Sequence, residues 1–220
     1  MSHSQPAGLP AVDFSADALR RRAARMHPLS GGTIPQRLHG DHVTEPSLAP
    51  LVEGRVLRPA AVLIALVLDP AGTSVLLTRR TDHLRSHAGQ IAFPGGKIDP
   101  EDDGPLDAAL REAEEEIGLD RRLVEPLGRL DSYVSNTGFE IVPVVGLVEA
   151  APPLTPNPDE VADVFAVPLG FLMAPENHLL ESREFRGAMR RYYAMPYEQR
   201  RIWGVTAGIL RLLYEQVFAE

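Results

Sequence analysis

The chain has no cysteine among its 220 residues. Disulfide staples, thiolate nucleophiles and cysteine-based zinc sites are therefore excluded. Lysine is nearly absent too: Lys97 stands alone against 21 arginines. Arginine is a planar fork and lysine a compact point charge, so a lone lysine in an arginine-rich chain draws notice as a phosphate contact. Positive charge is in deficit, with a formal net charge of −8, so neither nucleic acid nor an anionic membrane is an expected partner. Long apolar runs are missing. The longest, Ala60 to Leu68, falls far short of the roughly 20 residues a membrane-spanning helix needs. Met1 to Gly8 lacks a basic patch followed by an apolar stretch, so no secretory leader is read and a cytoplasmic protein is expected.

What is present is ordinary for a globular domain: 44% hydrophobic and 24% charged residues. The length suits one large domain or a domain with appendages. Residues 1–50 read as an extension. Ser15 to Met26 suggests a short helix with Ser15 as N-cap, and Pro28 helps end it. His39-Gly40-Asp41-His42 lies in a Pro/Gly-rich stretch and reads as a solvated loop.

Patterned sequence begins near Arg58-Pro59. Ala60 to Leu68 suits a strand buried on both faces. Asp69-Pro70-Ala71-Gly72 is a turn signal, and Ser74 to Arg80 completes a hairpin. Gln90 to Phe93 is a short strand. Leu106 to Ile117 is a helix, with Pro105 at its start and Gly118 at its end. Leu127 to Val134 and Glu140 to Val148 are strands around Ser135 to Gly138. Pro152 to Pro158 is a connection, Val161 to Val167 a strand and Leu169 to Met173 a short helix. Arg183 to Met195 forms a hairpin, and Trp203 to Phe218 a closing amphipathic helix. The irregular order favours α+β or mixed α/β over a strictly alternating parallel sheet.

One stretch carries chemistry: Phe93-Pro94-Gly95-Gly96-Lys97, then Arg111-Glu112-Ala113-Glu114-Glu115-Glu116-Ile117-Gly118-Leu119. On a helix, Glu112, Glu115 and Glu116 share one face. Their mutual repulsion needs a cation to offset it. A hard divalent ion with oxygen ligands suits them, and Arg111 can brace Glu115 from four residues away. A solvated acidic face is the plainer alternative, and it is kept for Glu114. Gly95-Gly96 reads as a turn that brings backbone close to a ligand. Lys97 beside it can neutralise a phosphate.

These residues resemble the Nudix box, G-x5-E-x7-R-E-U-x-E-E-x-G-U. The half from Arg111 to Leu119 fits, with Ala113 small for an aliphatic position. Upstream the spacing departs: the acid falls on Asp102, and eight residues rather than seven separate it from Arg111. A second stretch, Leu76-Leu77-Thr78-Arg79-Arg80-Thr81, then Arg85, Gly89 and Phe93-Pro94-Gly95-Gly96, is similar to the signature of the coenzyme A pyrophosphatase branch, with Thr81 in place of Ser or Ala.

The resemblance implies an α/β/α sandwich around a mixed sheet over residues 51–220. It also implies Mg²⁺- or Mn²⁺-dependent hydrolysis of the coenzyme A pyrophosphate, acyl-coenzyme A included. Glu112, Glu115, Glu116 and the Gly95 carbonyl are the expected metal ligands. Arg111 and Glu160 are further catalytic residues, Glu160 as an extra glutamate from outside the box. Arg80, Arg85, Gly95, Gly96 and Lys97 are expected to bind substrate. Of two neighbours on a strand only one faces the site; the motif selects Arg80 and leaves Arg79 to solvent. His83 and His87 have the spacing of a metal pair but no third soft ligand nearby, and His87 reads better as a neighbour of the substrate. Ser135 to Gly138 is either a cleft wall or an ordinary turn. A Nudix pyrophosphatase for ADP-ribose or NADH, and a non-enzymatic Nudix sensor, are the alternatives; retention of all three glutamates argues against the sensor. The oligomeric state is left open, a homodimer included.

Overall fold

The computed structural model describes residues 12–30, 39–51, 54–83, 88–185 and 188–219. Helix α1 is Ala16–Arg22; the Ser15 hydroxyl caps it by accepting from the Ala18 N–H at 3.4 Å. Strand β1 is His39–Gly40 and helix α2 is Asp41–Thr44. The central strands follow: β2, Arg58–Asp69, and β3, Gly72–Arg80. Then come β4, Ile91–Ala92, β5, Gly95–Lys97, and helix α3, Pro105–Ile117. Next are β6, Val124–Arg129, β7, Tyr133–Val134, β8, Phe139–Val148, and β9, Val161–Pro168. Helix α4 is Leu169–Leu172. The chain closes with β10, Leu179–Phe185, β11, Ala188–Tyr197, β12, Arg200–Trp203, and helix α5, Val205–Leu213.

Strands β1 to β9 form one mixed sheet. Strand β2 is its spine, parallel to β8 along its length and antiparallel to β3 and β5. Alternate residues of a strand face opposite ways, and β2 uses both faces. Ala61, Leu63, Ala65 and Val67 pack with Ala108, Ala109, Ala113 and Ile117 of α3. Ile64 and Leu66 pack into the second core with Ile209, Leu210, Leu212 and Leu213 of α5. Helices on both sides of a mixed sheet make the α/β/α sandwich of the α+β class. The small residues of α3 let the helix lie close to the sheet. Leu63 is fully buried, and truncating such a leucine to alanine costs about 2–5 kcal/mol.

Several elements depart from the sequence reading. Trp203 ends a strand rather than starting a helix: it pairs with Ala194, and Gly204 at φ 63° turns the chain before α5 begins. The closing hairpin is longer than residues 183–195, and β12 makes it a three-stranded sheet. Residues 127–134 are not one strand; β6 carries a bulge between Pro126 and Gly128 and stops before β7, since proline and glycine weaken a ladder. Gly95-Gly96 is not a turn but a strand against Ala61 and Val62. Nor is His39-Gly40-Asp41-His42 a solvated loop. Strand β1 pairs with Tyr133 and Val134, and the Asp41 carboxylate accepts from the Tyr133 hydroxyl at 2.8 Å and the Asn136 N–H at 3.1 Å. Burial pushes the Asp41 carboxyl up. Residues 12–30 also lie on the domain: Leu19 belongs to its core, and His27 bridges to Arg129. Ser135 to Gly138 is a tight turn closed by Gly138 N–H to Ser135 O at 3.0 Å.

Candidate functional site

The site is built where α3 meets β5 and the end of β3. Pro105 starts α3, and Gly118 at φ 69° ends it in the left-handed conformation. With Ala113 and Ile117 turned to the sheet, Glu112 and Glu116 come to lie along the β5 edge.

Glu116 is enclosed, its side chain only 5% exposed. Its Oε2 accepts from the Gly95 N–H at 3.2 Å, and its Oε1 lies 3.5 Å from the Arg80 guanidinium. Strand register explains the first contact. The Leu63 N–H donates to Pro94 O and the Ile98 N–H to Pro59 O. By antiparallel alternation, the Gly95 N–H and C=O therefore face away from β2, toward the helix. Burial pushes the Glu116 carboxyl up to about 7; the Gly95 N–H and Arg80 pull it down, while Glu112 and Glu160 push it further up. Glu112 is raised by the same chief cause, burial, with Glu115 and Glu160 adding to it.

Two glycines make this closeness affordable. A Cβ at Gly96 would collide with the Glu112 carboxylate, and one at Gly95 with the Ala61 carbonyl.

Arg111 ties the acids together. Its Nε and NH2 donate to the two Asp102 carboxylate oxygens at 2.8 and 2.9 Å. Its NH1 donates to Glu112 and Glu115, each at 3.2 Å, and its NH2 reaches Lys97 O at 3.2 Å. The Arg111 hydrogen bond holds the Asp102 carboxyl down at about 2. Glu115 stays 59% exposed on the outer side of this clasp. Glu114 faces elsewhere and pairs with Arg121 at 3.3 Å.

Glu160 arrives on the connection after β8. The last carbonyls of a helix lack internal partners; here Ile117 O accepts from Thr155 N–H at 2.8 Å and Glu116 O from Asn157 N–H at 2.9 Å. The connection thus runs over the end of α3 and brings Glu160 within electrostatic reach of Glu112 and Glu116. Arg79 points to the other face and pairs with Asp82 at 3.4 Å. Lys97 is exposed, and its ammonium has no carboxylate within 4.0 Å among the described residues. His83 accepts or donates no more than local contacts, at Asp159 O and Thr81. Arg85 and His87 lie outside the described residues.

A NUDIX domain model matches residues 57–189. Curated relatives named uncharacterized Nudix hydrolase NudL, from Yersinia pestis (strain Pestoides F) and Yersinia pseudotuberculosis serotype O:1b (strain IP 31758), are 46% identical over 160 residues, covering 73% of this chain and 80% of theirs. The chain belongs to the Nudix family. Nudix hydrolases are pyrophosphatases that act on nucleoside diphosphate derivatives, generally with divalent metal ions. Among solved structures, the Nudix hydrolase RenU from M. smegmatis is 25% identical with a TM-score of 0.45, covering 51% of this chain and 71% of that one. The NUDIX domain of Shewanella oneidensis NrtR complexed with ADP ribose is 20% identical with a TM-score of 0.42, covering 57% and 84%.

Among the described residues no three acids or histidines form a closed metal cage. The donor set still fits the hard cation that Nudix chemistry uses. Glu112, Glu116 and Glu160 all offer oxygen, and a divalent ion would offset the repulsion that adds to burial in raising the Glu112 and Glu116 carboxyls. No helix of the described residues is long and apolar enough to cross a membrane. The Asp102 clasp was the feature the sequence left least secure. The extra residue before Arg111 is taken up in the loop 98–104, ahead of the helix, where it leaves the helical spacing intact.

Proposed function

We propose that this Nudix hydrolase cleaves the pyrophosphate of coenzyme A, and of acyl-coenzyme A, to 3′-phosphoadenosine 5′-phosphate and 4′-phosphopantetheine. The observation that carries the reading is the approach of Arg80 to Glu116 at 3.5 Å, beside Gly95. The stretch that resembles the coenzyme A branch, Leu76 to Gly96, thereby meets the acidic helix at one point. An Arg80 placed there can hold a phosphate oxygen, and its buried Nε–H has no hydrogen-bond partner among the described residues.

Glu112, Glu115, Glu116 and the Gly95 carbonyl would hold Mg²⁺ or Mn²⁺. When bound, such an ion polarises phosphoryl oxygens and lowers the pKa of a bound water. The chain's own groups supply the rest. One of these glutamates, or Glu160 from the connection after β8, takes the proton of the attacking water. Arg80 and Lys97 offset the charge that develops on the phosphates. Arg111 keeps Glu112 and Glu115 in place.

A substrate panel with product identification by mass tests the reading. Coenzyme A should be cleaved in preference to ADP-ribose and NADH, and Arg80→Ala should lower kcat/KM for it by about 10- to 100-fold, the worth of one charged hydrogen bond. Preference for ADP-ribose or NADH would overturn the substrate and leave the family intact.

A further inference from the structure

Arg58 of β2 and Lys97 of β5 lie on the same face of the sheet, the one opposite α3. Residues paired across strands share a face, and so do alternate residues along one strand. Arg58 pairs with Phe139; Ala60, two residues on, pairs with Ile141 on one side and Lys97 on the other. The side chains of Arg58, Phe139 and Lys97 therefore share one face, with Arg58 and Lys97 as diagonal neighbours about 7–8 Å apart at their bases. Gly96, against which Glu112 packs, is turned to the other face. Lys97 follows it directly along β5 and is turned to the opposite face.

Arg58 is held in a fixed pose. Its guanidinium carbon lies 3.9 Å from the centre of the Phe139 ring, and one NH2 donates to Thr137 O at 3.0 Å. Stacking on an aromatic face orients the planar fork and leaves its remaining N–H groups directed along the surface. Both residues are exposed. Neither has a carboxylate within 4.0 Å among the described residues, although arginines elsewhere on this acidic chain, such as Arg20, Arg111 and Arg121, are engaged by acids. A chain of net charge −8 repels a polyanionic nucleotide at long range, so unspent, pre-oriented cations beside its centre are fitted to an anion.

We infer that Arg58, stacked on Phe139 and assisted by Lys97, forms a subsite for a phosphate monoester carried by the substrate in addition to its pyrophosphate. This rests on the coenzyme A reading, in which that group is the 3′-phosphate, one ribose away from the bond that is cleaved. Arg58 is then the residue that distinguishes coenzyme A from dephospho-coenzyme A. It takes no part in the hydrolytic step.

The test compares kcat/KM for both compounds in wild type and Arg58→Ala, with Arg122→Ala, an exposed arginine paired to Asp120, as the control. Arg58→Ala should lose about 10-fold or more on coenzyme A and about twofold or less on dephospho-coenzyme A. A parallel binding measurement in chelator uses adenosine 3′,5′-bisphosphate and AMP. Wild type should prefer the bisphosphate, and Arg58→Ala should lose that preference with an unchanged melting temperature. Equal loss on both substrates, or an unchanged binding ratio, overturns the subsite. If wild type instead prefers ADP-ribose, the coenzyme A reading fails, and the binding ratio alone decides whether Arg58 reads a phosphate monoester.

Discussion

Asp102 grips Arg111 through two parallel hydrogen bonds, Nε to Oδ1 at 2.8 Å and NH2 to Oδ2 at 2.9 Å. Such a fork-to-fork pair fixes a guanidinium in plane. It leaves NH1 aimed at Glu112 and Glu115. Asp102→Asn keeps the shape and removes the charge. Turnover should fall about 10-fold through misplacement of Glu112, since a charged hydrogen bond is worth roughly 1.5–3 kcal/mol, and Mg²⁺ should be needed at higher concentration. Steady-state kinetics titrated with Mg²⁺ reads both effects. Unchanged kinetics would show that Arg111 is held well enough without Asp102.

Glu116 and Glu114 are two residues apart and differ in every relevant respect. The first is enclosed against Gly95 and Arg80; the second faces outward to Arg121. Glu116→Gln should fold, because its amide oxygen can still accept from the Gly95 N–H, yet lose at least about 10²-fold in turnover. Glu114→Gln should be near neutral. Equal losses in the two folded variants would refute the assignment.

Stability of the metal-free protein should carry the mark of Glu116. Burial pushes its folded carboxyl up to about 7 from the ordinary glutamate value of 4.5, so the folded state binds this proton more tightly than the unfolded one. The contribution is fully present below 4.5 and is lost as pH rises toward 7. Melting curves in chelator, for wild type and Glu116→Gln, should diverge across that window, with the variant gaining relative stability at the alkaline end. Parallel profiles would mean that the carboxyl is not perturbed.

Metal removal gives a further check. Chelation should abolish activity, and Mg²⁺ or Mn²⁺ should restore it, as clustered carboxylates without a thiolate suit hard cations. Binding of Mg²⁺ should also release protons near pH 6.5, because it competes for a carboxyl that titrates at about 7. Full activity in a sample shown to be metal-free would rule this chemistry out.

The acidic helix was legible because its information is local. Three glutamates at helical spacing and a glycine on each side define a face without any knowledge of the partner strands. The apolar run at Ala60 to Leu68 called for cover on both sides for a similar reason, whereas the sandwich itself was implied by the resemblance to the Nudix family. What escaped depends on distant pairing. The pairing of His39 and Gly40 with Tyr133 and Val134 spans more than ninety residues, whereas Trp203 pairs with Ala194 only nine residues back in a tight hairpin that the apolar stripe beyond it masked. Arg58 was passed over because its stacking partner, Phe139, lies on a strand brought alongside only by the parallel β2–β8 ladder.

The end of α3 is also a gauge. Thr155 and Asn157 fasten the connection to the carbonyls of Ile117 and Glu116, so only two residues, Pro158 and Asp159, separate the second fastening from Glu160. Glu160 is thereby held near Glu116 from two sides, by the Asn157 fastening before it and by its own carbonyl, which accepts from the Thr81 N–H at 3.0 Å. Insertions before Thr155 leave that spacing untouched, whereas one residue added between Asn157 and Glu160 changes it directly. The tolerance of this loop to length change should therefore switch abruptly at Asn157.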